Sequence, residues 1–330
     1  MYLKNRVESF KLWEKVDGHQ RIIIRRKLAD MILPVVFIAW LIFLTFSSPV
    51  FLTQQNIFNV TRQIAVIGLL SLGQLVCLIS GNIDLSVGNF LGFFGAVLAG
   101  LSLAIGFGPA LTISIVIALS WGLMNGFLVS LGKGTSVIIT LSTMYVARGL
   151  TLIYTDGKPF ILFPMPYRFL GAGNVGPVPW SLITLITVAL SIAIILRFTP
   201  IGRHLYAVGG NREAARVCGI NPKKITIIVY ISSALLSALG AIVLLGRVAS
   251  AQPNAGLGME LDSIAAVLIG GASVSGGSGT VVGTLIGIFM LGFINNGLNL
   301  LGVSGYYQFV FKGLIILLAV LVDSIRKRGG

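Results

Sequence analysis

Residues 199–224 read TPIGRHLYAVGGNREAARVCGINPKK, a polar stretch set between two apolar runs, 180–198 and 225–248. Arg203, Arg212, Arg216, Lys223 and Lys224 make it strongly basic. Each flanking run is long enough to cross a bilayer, because about 20 apolar residues span the hydrocarbon as a helix. The stretch therefore reads as a cytoplasmic loop of a membrane protein, and the remaining crossings can be counted outward from it. A membrane chain has little reason to keep a basic insert centred on Glu213, Ala214 and Ala215 unless a partner grips it. The plainer alternative is a loop that rests on anionic headgroups.

Composition agrees with a membrane protein. Of the 330 residues 55% are hydrophobic and 10% charged, and the mean hydropathy is +0.95; soluble chains carry about 25% charged residues. Apolar windows fall at 31–50, 59–80, 89–107, 109–131, 135–155, 180–198, 225–248, 260–275, 280–300 and 306–323. The expected fold is all-α and polytopic, with about ten transmembrane helices.

The +14 net charge is gathered in blocks and does not point to nucleic acid. Eight Lys/Arg lie between Lys4 and Lys27, and Arg326, Lys327 and Arg328 stand near the end of the chain. With the basic stretch, Arg197 and Lys133, 18 of the 24 basic residues fall on one face, which the positive-inside rule makes cytoplasmic. Residues 1–30 read as a cytoplasmic arm without the organisation of a signal peptide. Residues 31–323 form the membrane domain, with a periplasmic loop at 156–180, and 324–330 form a basic cytoplasmic tail. Both termini then lie inside, which ten crossings satisfy.

GNIDLSVG at 81–88 and GLGMELDSIAAV at 256–267 each set an acidic residue and a serine at the entrance to a Gly/Ala-rich helix: Asp84 with Ser86, and Asp262 with Ser263. Ten crossings place the first near the inner face and the second near the outer, the pattern of inverted repeats relating spans 2–5 to spans 7–10. Helix capping explains both carboxylates, and so does contact with a solute at a half-helix start.

Enzyme classes find no support. The two histidines, His19 and His204, cannot build a catalytic or zinc cluster, and Cys77 and Cys218 provide no disulfide framework. Gly132-Lys133-Gly134 lacks the pattern of a phosphate-binding loop, so neither ATP hydrolysis nor a bound cofactor is expected of this chain. Ion-coupled transport usually needs carboxylates deep within spans. Here Asp84, Glu260, Asp262 and Asp323 stand at span ends.

Arg148 and Lys312 lie inside apolar windows. They either snorkel towards the interface or face a hydrated path, bonded to solute hydroxyls or to a carboxylate such as Asp262. Asn295 and Asn299 share a helix face and either line a polar route or hold helices together. The spacings Gly92/Ala96/Gly100 and Gly283/Gly287 suit close helix packing, and GGASVSGGSG at 270–279 reads as a tight turn.

The chain resembles the permease subunits of bacterial ATP-binding-cassette importers for ribose, arabinose, xylose and galactose. The resemblance rests on GNIDLSVG at 81–88, TPIGRHLYAVGGNREAARVCGI at 199–220, ELDSIAAVLIGGASVSGGSGTVVGTLIG at 260–287 and NNGLNLLGVSGYYQFVFKGLIILLAVLVD at 295–323. The family pattern usually has glycine where Asn82 stands. The resemblance implies a coupling element carried by Gly202, Asn211, Glu213, Ala214, Ala215, Gly219 and Ile220, which docks into a cleft of a cytoplasmic ATPase. It also implies a second permease subunit, identical or not, and a periplasmic sugar-binding protein that docks on residues 156–180. ATP and Mg would bind to the partner ATPase. Such a chain sits in the inner membrane and carries a monosaccharide by alternating access. Branched-chain amino acids or nucleosides are the nearest alternative cargo, and ion-driven transport the alternative of another class.

Overall fold

A computed structural model describes residues 35–328, apart from residue 133 and residues 162–164. The N-terminal arm, Lys133 and the end of the basic tail lie outside the described residues. Among the described residues thirteen helices follow in order: α1 (Val35–Ser47), α2 (Gln54–Ile79), α3 (Val87–Ile105), α4 (Phe107–Ser130), α5 (Ser136–Thr155), α6 (Arg168–Ala172), α7 (Trp180–Phe198), α8 (Pro200–Gly210), α9 (Arg212–Val217), α10 (Pro222–Val248), α11 (Met259–Ile269), α12 (Val281–Leu300) and α13 (Gly305–Arg328). Seven of them, α2–α5, α7, α10 and α12, are long and apolar enough to cross a membrane. The chain is an all-α polytopic membrane protein.

Helix α2 is the axis of the bundle. In its most apolar window 83% of residues are buried, against 22% in α5 and in α7, so α2 belongs inside the protein while α5 and α7 present one side outward. It packs against α7, α10, α11 and α12, and α10 in turn packs against α3 and α4. Glycines let these helices approach closely. A Cβ on Gly126 would stand 2.7 Å from the Cα of Ile227, and one on Gly122 2.6 Å from that of Ile231, so α4 lies backbone against backbone on α10. Gly287 meets the carbonyl of Ala266, and Gly283 that of Gly270, which seats α12 on α11.

The described residues of 156–180 include short strands and a helix. Strand β1 (Phe160–Ile161) pairs antiparallel with β4 (Ser250–Ala251), and β2 (Asn174–Val175) with β3 (Val178–Pro179). Gly171 of α6 presses on the backbone of Val243 and Arg247 at the far end of α10. Arg62 Nη2 donates to Asn174 Oδ1 at 2.8 Å, tying the hairpin to α2.

Two expectations need correction. The window 260–275 is not one full-length helix: α11 has 11 residues, about 16 Å of helix, and ends at Ile269. Gly271 takes φ +87°, with Gly271 N bonded to Leu268 O and Ala272 N to Val267 O, a Schellman stop. Nor is 199–224 one polar loop. Thr199 caps α8, Pro200 occupies its first turn, and Gly202, Leu205 and Val208 turn inward, so only the second half is mostly exposed.

Candidate functional site

The depth of the first acidic motif can be read against α10. This helix of 27 residues is about 40 Å long. Gly73 of α2 abuts Ser233, whereas the end of α2, at Ile79, meets Gly209 of α8 and Gly277. From there residues 80–86 climb back into the bundle. Asp84 bonds to Ser233, about 16 Å along α10 from Pro222, and Val87 accepts from Ser237, about 22 Å along. Helix α3 thus starts near the middle of α10, and not at its end.

A non-helical segment at that depth must have its polar backbone satisfied by protein. Side chains of three helices do so. Asp84 Oδ1 accepts from Ser86 N at 2.9 Å and Ser86 Oγ at 2.6 Å, and Oδ2 accepts from Ser233 Oγ at 2.8 Å. Ser86 Oγ accepts from Asn125 Nδ2 at 3.0 Å and Trp121 Nε1 at 3.4 Å. Tyr230 donates to Ile83 O at 2.9 Å, while Thr140 Oγ1 and Ser136 Oγ accept from Leu85 N and Ile83 N. Asp84 and Ser86 are buried, at 2% and 1% exposure. The N-cap of α3 is Ser86, which makes no side-chain cap bond, so Asp84 is not the cap but ties the residues before it. Asn82 fits because its amide donates to Ser80 Oγ at 2.9 Å.

The second motif meets the first. Gly256 lies on the backbone of Gly88, Ala255 on Gly92, and Glu260 Oε2 beside Gly88. The starts of α3 and α11 therefore stand side by side, where opposite faces had been expected. Residues 252–258 descend from β4 to reach this point. Asp262 lies inside the first turn of α11, whose N-cap is Gly258, so it is not the cap either.

Lys312 and Arg148 both serve this segment. Lys312 Nζ on α13 bonds Asp262 Oδ2 at 2.7 Å, and Arg148 on α5 donates to Pro253 O and Asn254 Oδ1. Ser263 Oγ bonds Glu260 O at 2.7 Å within α11. Asn299 is exposed and accepts from Gln308 at 2.8 Å, and Asn295 is half-buried. The buried amide of α12 is Asn296, which exchanges two bonds with Asn56, at 3.0 and 2.8 Å. Neither its partner nor its burial can be read from the run of three asparagines. Glu260 Oε2 and both amide atoms of Gln74 are buried without a partner among the described residues. No group of three or more His, Cys, Asp or Glu able to hold a metal occurs among the described residues.

Helix α9 has the form that its sequence dictates. Asn211 Oδ1 accepts from Ala214 N at 2.9 Å, and Glu213 occupies the first turn and pairs with Arg216 at 3.0 Å. Gly219, at φ +83°, closes it: Gly219 N bonds Arg216 O and Ile220 N bonds Ala215 O. Glu213 and Ala214 are exposed, but Ala215 is buried against the bundle, so a partner that grips the insert meets the first two and not the third. Val217, which the sequence did not single out, is 83% exposed at the tip. Gly202 lies apart, in α8, against the carbonyls of Ile195 and Leu196, where it sets the corner with α7.

The chain matches a family model described as "Branched-chain amino acid transport system / permease component" over residues 56–320. It is 45% identical over 280 residues to the ribose import permease protein RbsC of Bacillus subtilis, covering 84% of this chain and 87% of that one. RbsC of Escherichia coli K12 is 43% identical over 282 residues, 84% of this chain and 88% of its own. The L-arabinose transport system permease protein AraH of Escherichia coli K12 is 35% identical over 301 residues, 90% of each chain. No solved structure matches the chain. With its bundle of apolar helices and a match across most of its length, the chain belongs to this permease family, the membrane-crossing component of a transport system.

Proposed function

We propose that the chain imports a monosaccharide or similar small polyhydroxy solute as the membrane subunit of an ATP-binding-cassette importer. The observation that carries this reading is the 45% identity, over 84% of the chain, to a protein named as a ribose import permease. In this account a separate cytoplasmic ATPase binds ATP and Mg and engages α9, presented by Asn211, Glu213, Ala214, Gly219 and Ile220. The buried Ala215 holds that helix against the bundle, and Gly202 sets the corner between α7 and α8 that leads to it. A periplasmic binding protein docks on residues 156–180, whose strands and short helix are braced on α2 and α10. A second permease copy, identical or related, completes the pair in the inner membrane.

Ten crossings with both termini cytoplasmic, the eighth made by residues 252–258 together with the half-length α11, and an inverted-repeat arrangement suit the side-by-side starts of α3 and α11. Half-helices that begin near mid-membrane are a recurring device of transporters built this way. The solute passes along α11, α12 and α13, where Asp262, Lys312, Asn295 and Asn299 supply donors and acceptors for hydroxyls. Asp84, Ser86, Ser263 and Arg148 hold the two half-helix starts in place.

The test is Glu213→Lys. The substitution reverses an exposed charge and should leave the spans folded, as judged by thermal unfolding in detergent. ATP-driven ribose uptake into proteoliposomes containing the assembled importer should fall roughly tenfold or more, since like charges facing each other at an interface cost several kcal/mol. Undiminished uptake would contradict the role given to α9. The family description favours one other cargo, a branched-chain amino acid. Accumulation of leucine and not ribose by the unaltered importer would establish it.

A further inference from the structure

Where α4 ends and α10 begins, the bundle carries an open groove of about 750 Å³. Ser130, Leu131 and Gly132 form one wall, and Arg212, Glu213, Arg216 and residues 219–223 the other. Among the described residues three cations and one carboxylate line it. Glu213 is engaged with Arg216 at 3.0 Å, and neither Arg212 nor Lys223 pairs with a carboxylate among the described residues. The backbone amides at the start of α10 are not available, because Asn221 Oδ1 already accepts from Lys223 N and Lys224 N.

One wall is continuous with an apolar surface. Leu131, Phe127 and Met124 lie on one face of α4 at helical spacing and are 45%, 54% and 38% exposed. Exposed apolar residues along a membrane-crossing helix meet lipid chains, and this face runs directly into the basic groove. A phosphate with an acyl tail satisfies both features together, whereas free phosphate satisfies only the first. Glu213, Gly219 and Ile220 line the groove and are also given above to the ATPase, whereas Arg212 and Lys223 are not, so a lipid held by those two cations lies beside that contact.

We infer that this groove binds the headgroup of an anionic phospholipid, with its phosphate between Arg212 and Lys223 and an acyl chain along Leu131, Phe127 and Met124. The bound lipid bridges α4, α9 and α10 and so steadies the elbow that carries α9. The inference requires that α4 and α10 cross the bilayer, and does not depend on an ATPase engaging α9.

Native mass spectrometry of the full chain tests it, with phosphatidylglycerol and phosphatidylcholine as probes and inorganic phosphate as competitor. Phosphatidylglycerol should be retained in preference to phosphatidylcholine and should survive millimolar phosphate. Arg212→Ala/Lys223→Ala should weaken its retention roughly thirtyfold, at about fivefold for each basic residue near an anionic surface. Lys158→Ala/Arg168→Ala, at the other end of the bundle, should leave retention unchanged. A photoactivatable phosphatidylglycerol added to the unaltered chain should label peptides around residues 124–131 and 212–223, a readout that needs no variant. Equal retention of the two lipids, displacement by phosphate, unchanged retention by the double variant, or labelling elsewhere would each overturn the inference.

Discussion

Asp84→Ala is expected to deprive the chain of most of its folded population. The carboxylate accepts three hydrogen bonds inside the bundle, two from Ser86 and one from Ser233. Alanine leaves those donors buried with no water to replace the acceptor. Each bond to a charged group is worth about 1.5–3 kcal/mol, so the loss is on the order of 4 kcal/mol or more. The damage is also local in a particular way. Residues 80–86 are non-helical within the span, and Asp84 is the link by which α10 fixes the start of α3. Size-exclusion profiles and thermal unfolding in detergent should show an aggregated or early-melting protein. Asp84→Asn, which keeps one acceptor oxygen, should fall between the two. An Asp84→Ala chain that melts with the unaltered protein would mean that the network does not hold the break.

The second large effect is expected at the ion pair of Lys312 and Asp262, 2.7 Å apart with side chains 28% and 11% exposed. Removing one partner of such a pair leaves the other charge without compensation, at a cost of about 3–5 kcal/mol, whereas replacing both is often nearly neutral. Lys312→Met should therefore destabilise the chain strongly, and Asp262→Asn added to it should restore most of the loss. A double variant as unstable as the sum of the two singles would show that the pair contributes little as a pair. The same variants bear on transport. If the pair also faces the solute, the stable double variant should fold and yet import slowly, a separation of stability from uptake that a purely structural pair would not produce.

The sequence discloses some parts of this molecule far better than others. Crossings such as α7 and α10 are legible because hydrocarbon leaves the chain no choice but long apolar helices. Helix α9 is legible to the residue, since Asn211 and Gly219 are the side chains that start and stop a short helix by local bonding alone. Depth is not legible. The apolar window at 260–275 looks like one full-length helix because hydropathy is blind to the Schellman stop at Gly271, and α11 spends only half a bilayer. The two acidic motifs were expected on opposite faces for the same reason. Nothing local tells that residues 80–86 turn back along α10. Nor does a sequence distinguish Asn296, paired with Asn56, from Asn295 and Asn299 beside it, because the pairing joins residues 240 positions apart.

The measurement that reaches the central claim most directly is purification of the tagged chain from its native membrane in mild detergent, with its partners identified. The account predicts a co-purifying nucleotide-binding ATPase that is lost when residues 211–220 are scrambled while the permease still melts as before. A chain that purifies without such a partner and accumulates solute in liposomes under a proton or sodium gradient would contradict it.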